Sequence, residues 1–167
     1  MGSAGLHPRL VYDTPAGVET LLKMNWRILT IGKPKLAYAA AGVAEYEKRL
    51  RRSADLEVVP LKAKDESREL LARSEGSFRI ALDERGKRLT TDQFVDLINR
   101  LEARGDIKSV AFLIGGADGH SEDLREAADE TISVSSLTLQ HELALVVLLE
   151  QIYRAYAIKR GEPYHRP

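Results

Sequence analysis

The sequence predicts an α/β domain: a mainly parallel sheet with flanking helices. Short apolar runs at 25–32, 56–61, 78–82, 109–114 and 131–134 alternate with segments of helical periodicity, the signature of strands joined by crossover helices. No internal repeat or low-complexity linker divides residues 24–167, so they read as one domain. The most strongly apolar run, Ser109 to Ile114, is followed at once by Gly115-Gly116. That is a strand leading into a loop with bare backbone.

Residues 1–23 show neither a strong period nor a dense apolar cluster. They read as an N-terminal extension ahead of a natural start at Met24, or as a flexible tail. Asn25 to Gly32 is strand-like, and Pro34 punctuates a loop. Leu36, Tyr38, Ala39, Val43, Tyr46 and Leu50 then recur at helical spacing across 36–52, ending in Lys48-Arg49-Leu50-Arg51-Arg52. Leu56 to Leu61 is a strand, 65–74 a charged helix, and Phe78 to Leu82 a short strand. From Thr91 to about Arg104, threonines at the start offer an N-cap and Phe94, Leu97, Ile98 and Leu101 form a core stripe. Ser121 to Asp129 is a short helix, Thr131 to Val134 a strand, and Gln140 to Lys159 a long helix. Its apolar face (Leu143, Val146, Val147, Leu149, Ile152, Tyr153, Tyr156) is wide enough for an oligomer interface or for a central core helix.

Composition narrows the function. At 167 residues with 44% hydrophobic and 30% charged, the chain has material for a core and a solvated surface. It has no cysteine and only four histidines without metal-ligand spacing, so a thiolate or histidine metal site is not expected. No apolar run approaches the ~18 residues of a membrane span, and no secretory leader is recognisable, so a cytoplasmic soluble domain is expected. Twenty-five basic residues balance twenty-five acidic ones. That neutrality points away from a protein gripping a long nucleic-acid backbone unless a local patch or a partner supplies the field.

Ligands of open α/β sheets bind beyond the carboxyl ends of the strands. Three loops should meet there: Leu82 to Lys87, Gly115 to Gly119, and Ser133 to Leu139. The paired glycines let a ligand lie against backbone, or they simply make a tight turn. They fit neither a dinucleotide nor a Walker fingerprint. The hydroxyls of 133–138 can receive a ligand, although Thr138 also reads as a cap for the next helix. His141-Glu142 begins like a zinc-binding helix, but Leu145 stands where the second histidine belongs. His141 therefore reads as structural. The tail carries Arg154, Lys159, Arg160, Tyr164, His165 and Arg166, cations beside aromatic rings suited to phosphates and an unstacked base.

Read in order, Ile80 to Lys87, Phe112 to Gly119, Ile132 to His141, Glu150 to Ala155 and Pro163-Tyr164-His165 resemble the RlmH family, the ribosomal RNA large subunit methyltransferases H of the SPOUT class. The resemblance spans Met24 to Pro167 and implies what composition does not. It implies a SPOUT-type fold with a C-terminal trefoil knot. The activity would be methyl transfer from S-adenosylmethionine to N3 of a pseudouridine in helix 69 of 23S rRNA. The enzyme would work as a homodimer on assembled ribosomes, whose shape shares in recognition. By matched motif, Leu82, Gly115, Val134, Ser135, Ser136, Leu137, Thr138 and Leu139 would form the cofactor pocket. His165 and Tyr164 would be catalytic, His165 handling the N3 proton and Tyr164 positioning the base, while Arg154 would contact RNA or support the tail. Two positions depart from the usual pattern: Gln140 replaces a proline and Leu145 an arginine. Rival readings are a SPOUT methyltransferase for another RNA site, a non-catalytic ribosome-associated protein, and a small-molecule-binding α/β protein.

Overall fold

The computed structural model describes residues 23–166; the expected extension lies outside them but for Lys23. Ten elements follow in order: β1 (Asn25–Ile31), α1 (Ala37–Leu50), β2 (Asp55–Leu61), α2 (Glu66–Arg73), β3 (Phe78–Arg88), α3 (Thr91–Glu102), β4 (Ser109–Ile114), α4 (Glu122–Ala127), β5 (Glu130–Ser133) and α5 (His141–Lys159). The five strands form one sheet in the order β2-β1-β4-β3-β5, and every pairing is parallel. The predicted class holds, and each predicted element is present.

Side chains alternate across the sheet, so each strand feeds two cores. Trp26, Ile28, Val110, Phe112, Ile80 and Ile132 face α1, α3 and α5. Leu29, Ala81, Ala111 and Leu113 face α2 and α4, where Leu70 and Leu124 are buried. Trp26 stacks on Phe112 with ring centroids 6.0 Å apart, and its Nε1 donates to the Tyr156 hydroxyl at 2.9 Å. Tyr156 in turn donates to Glu102. Burial, then the Glu102 contact, pushes the Tyr156 phenol well above its ordinary pKa and keeps it a donor. Pro60 sits in β2, an edge strand, where a missing N–H costs least.

Local chemistry sets the helix starts. Thr90 and Gln93 form a reciprocal capping box at α3. Ser121 accepts from Leu124 N at 3.2 Å to open α4. At α5 the cap is Gln140, whose Oε1 accepts from Glu142 N at 2.9 Å and Leu143 N at 3.1 Å. Thr138, a candidate for that cap, instead donates to Glu84 at 2.9 Å. Of the predicted α5 face, Leu149, Ile152 and Tyr156 are buried while Leu143, Val146, Val147 and Tyr153 are half-buried; Leu145, Leu148, Ala155 and Ala157 complete the buried side. Leu145 is among the fully buried side chains, so the apolar residue suits its place.

One element departs from expectation. β3 does not stop at Leu82 but runs to Arg88, past the end of β4. Leu82 and Lys87 both register with Ile132, with residues 83–86 bulging between them. Gly86 makes this possible: a Cβ there would stand 2.5 Å from the Ile132 carbonyl carbon and 2.7 Å from its nitrogen. A Gly86→Ala substitution is therefore expected to destabilise the fold by about 1–3 kcal/mol. Gly105→Ala, where a new Cβ meets nothing within 4 Å, should shift stability by no more than about 0.5 kcal/mol. Urea midpoints of the two variants measure the contrast.

Candidate ligand site at the carboxyl end of the sheet

Because all strands run parallel and β4, β3 and β5 are neighbours, their following loops emerge side by side. Together they enclose a cavity of about 330 Å³, a volume at the lower end of ordinary small-ligand sites. Leu82, Gly115, Val134, Ser135, Leu137, Thr138 and Leu139, all named by the motif match, line it. Ser136 lies in the same loop but does not line the cavity. Asp83, Glu84, Arg85, His120, Arg125 and the first turn of α5 complete the wall.

The glycines are needed as space. A Cβ on Gly115 would press on the Gly119 carbonyl oxygen at 3.0 Å and His120 Nδ1 at 3.2 Å. A Cβ on Gly116 would meet the Glu66 carboxylate at 2.7 Å. Glu66, at the start of α2, accepts from Gly116 N at 3.1 Å, and neighbouring Ser67 accepts from Ser121 N at 3.0 Å. The α2 start thus braces the glycine loop at both ends. The linear sequence holds no signal for this, since the partners lie 50 and 54 residues apart.

His120 fills the space beneath the loop. It is 7% exposed, and its Nε2 lies 3.1 Å from the Leu113 carbonyl, which requires the proton on Nε2. Burial lowers its pKa against the opposing pull of the Leu113 carbonyl, Asp83 and the Leu82 carbonyl. Its Nδ1 is buried without a partner. Arg125 ties the wall together, donating to the His120 carbonyl at 2.5 Å and approaching Asp83 at 3.6 Å. The third loop is wound on itself: Ser133 donates to the Ser135 carbonyl at 2.6 Å and Ser135 accepts from Leu137 N at 2.9 Å. Leu137, 74% exposed, stands at the rim. The cavity offers bare amides and carbonyls, hydroxyls and apolar edges, and among the described residues no cluster suited to a metal ion.

The C-terminal tail forms a second cluster. The Tyr164 ring meets Tyr153 edge-on at 4.8 Å and Arg154 lies over it at 4.8 Å. Its hydroxyl donates to Glu150 at 3.1 Å and lies 3.5 Å from the Tyr46 hydroxyl. Burial, then Tyr46 and Glu150, raises its pKa far enough to hold it as a phenol. Arg154 makes two bonds to Glu150, at 3.1 and 2.5 Å, and its Nη1 lies 3.3 Å from His165 Nδ1. Guanidinium nitrogens only donate, so Nδ1 accepts and the His165 proton sits on Nε2.

Within one chain this cluster and the cavity stand apart. Among the described residues none of the tail lines the cavity. Glu150 lies nine residues beyond the cavity-lining His141 on α5, roughly 14 Å along the axis at ~1.5 Å per residue.

Comparisons place the chain among known proteins. The family described as predicted SPOUT methyltransferase matches residues 24–165. Ribosomal RNA large subunit methyltransferase H of Thermus thermophilus is 50% identical over 144 residues, 86% of this chain and 100% of that protein. The protein of the same name from Deinococcus radiodurans is 44% identical over 146 residues, 86% of this chain and 99% of its own. Among solved structures, a probable methylase family protein from Haemophilus influenzae shares the fold at a TM-score of 0.53 and 12% identity, over 86% of this chain and 71% of its own.

Glu142 gives the site a measurable pH signature. Only 7% exposed, it accepts from Lys35 N and Leu36 N, both at 2.9 Å, tying the approach to α1 against the first turn of α5. The bonds to Leu36 and Lys35 hold its carboxyl below the usual range against the cost of burial. A depressed folded pKa stabilises above the unfolded value and loses that contribution as pH falls through the folded one. Glu142→Gln should therefore be less stable than the parent near neutrality, and the gap should close as the pH falls below the ordinary glutamate value of about 4.3 and through the lower folded one. Urea unfolding across that range measures it.

Proposed function

The chain belongs to the SPOUT methyltransferase family, and from that premise we propose that it methylates large-subunit ribosomal RNA with S-adenosylmethionine as donor. The finer target we infer is N3 of the helix 69 pseudouridine, methylated on assembled ribosomes in the cytoplasm. The observation carrying the reading is the cavity itself. Three loops at the carboxyl ends of adjacent parallel strands close over glycine backbone, where a Cβ at Gly86 would strike the Ile132 backbone and one at Gly115 would crowd Gly119 and His120. Leu82, Gly115, Val134, Ser135 and 137–139 suit a nucleoside with a small zwitterionic arm: carbonyls and amides for its polar edge, Leu82, Val134 and Leu139 for its faces. The unpartnered His120 Nδ1 fits a site whose polar atoms await a ligand or water.

S-adenosylmethionine supplies a methyl on a sulfonium sulfur. When bound, it would give that methyl to N3 as the C–S electron pair returns to sulfur, with Leu82, Gly115 and the 134–139 loop as the residues that would hold it. The N3 proton must depart. Alignment of nucleophile and methyl carbon governs such a step. His165 presents Nε2–H, since Nδ1 is engaged by Arg154; in this arrangement it donates a hydrogen bond to a carbonyl oxygen of the base beside N3, stabilising the charge left as the N3 proton passes to water. Tyr164, held as a phenol against Glu150, positions the base by its ring. Arg154 orients His165 and presents positive charge to RNA.

The separation of tail and cavity within one chain favours a homodimer in which each tail serves the other subunit's cavity. The trefoil-knotted threading of the C-terminal part belongs to the same proposal.

Labelled methyl transfer to ribosomes lacking the modification, beside free 23S rRNA, tests the function. Label on the helix 69 pseudouridine, mainly in assembled ribosomes, is expected; folded, cofactor-binding protein that labels neither substrate overturns the enzymatic reading. His165→Ala should lose about 10²-fold or more in turnover with S-adenosylmethionine affinity unchanged, read by calorimetry and single-turnover kinetics. Full turnover in that variant removes the role given to His165.

A further inference from the structure

The bulge and extension of β3 put three cations beside the cavity, and no part of the reaction described so far uses them. Arg85 lies in the bulge and lines the cavity. Lys87 and Arg88 follow on the strand that passes the end of β4 and pairs only with β5. All three are exposed, and among the described residues none makes an ion pair. The acids of the same segment are engaged elsewhere: Asp83 faces Arg125 at 3.6 Å, and Glu84 accepts from Thr138 at 2.9 Å. The segment therefore carries three cations outside any ion pair against the charge of Glu84, with Asp118 on the far side of the cavity, an excess of local positive charge in a chain with no net charge.

The basic end of α1 is a weaker match. There Arg49 is bound to Glu45 at 2.6 Å and lies over the rings of Tyr46 and Tyr153, and no residue of that helix lines the cavity.

We propose that Arg85, Lys87 and Arg88 on the β3 extension form a grip for the phosphates of the RNA strand that leads the target base into the cavity. The inference rests on the RNA-methylating reading above and answers the difficulty raised by neutral composition. Recognition does not need a basic protein when unpaired cations stand where the backbone must pass. Anchored by Gly86 against Ile132, the extension holds its charges on a fixed strand rather than a loose loop, which reduces the ordering lost on binding.

The experiment compares the full chain with Lys87→Gln/Arg88→Gln and with Lys108→Gln, which removes a charge just before β4, at the opposite end of the sheet. Affinity for purified 23S rRNA and for ribosomes is measured against salt, beside S-adenosylmethionine affinity and methyl transfer. Each phosphate contact contributes roughly 0.7–0.9 to the slope of log affinity on log salt. The double variant should lose about 1.5 from that slope and bind RNA about tenfold more weakly. Its KM for RNA should rise and its cofactor affinity should not change, while Lys108→Gln matches the parent. A double variant with the parent's slope, against a parent that binds and methylates RNA, overturns the grip alone. A parent that neither binds nor methylates RNA overturns the grip and the function together.

Discussion

The parallel pairing of β4, β3 and β5 is the constraint on which the ligand end of this molecule depends. Parallel strands deliver every carboxyl terminus to the same edge, so three loops far apart in sequence become neighbours. Adjacency alone would leave them splayed. They close because backbone meets backbone at glycine: Gly86 on Ile132, Gly115 on Gly119, with Gly116 on the Glu66 carboxylate. A Cβ would clash with backbone at Gly86 and crowd its neighbours at Gly115, so the site depends on missing atoms as well as on present ones.

Around that frame the polar groups divide into those that hold the cavity wall and those gathered in the tail cluster. Arg125, Glu66, Ser67 and Ser133 are committed to the loops. In the tail, Glu150 gathers Arg154 and Tyr164, and Arg154 sets the His165 tautomer. The same helix, α5, carries cavity-lining residues in its first turn and the tail cluster farther along. One rigid element therefore fixes the distance between the cavity and the tail cluster within a chain.

The elements were legible because their signals are local. β4 announces itself by continuous apolarity, α3 by a capping threonine and a stripe, and both stand within a residue or two of their predicted bounds. The β3 extension was not, because Glu84-Arg85-Gly86-Lys87-Arg88 has no apolar alternation; its strand character comes from backbone pairing with β5. Likewise the α5 cap fell to Gln140, a residue with weak intrinsic preference for that place, because Thr138 finds Glu84 54 residues away. The cavity residues emerged from loop positions and motif order together. The Glu66 brace and the Tyr46–Tyr164 contact, joined only by folding, did not.

The strand order has a further consequence during synthesis. β1 sits between β2 and β4, yet Asn25 pairs with Ser109, 84 positions later. At ribosomal rates of ~5–20 residues per second, one edge of β1 waits on the order of ten seconds for its partner to be made. β3 likewise emerges before both its neighbours. The nascent chain can dock α1 and β2 early, but its central strands stay open-edged until the last third of the sequence arrives. The maturing polypeptide thus spends its most adhesive interval tethered to the translation machinery rather than free in solution.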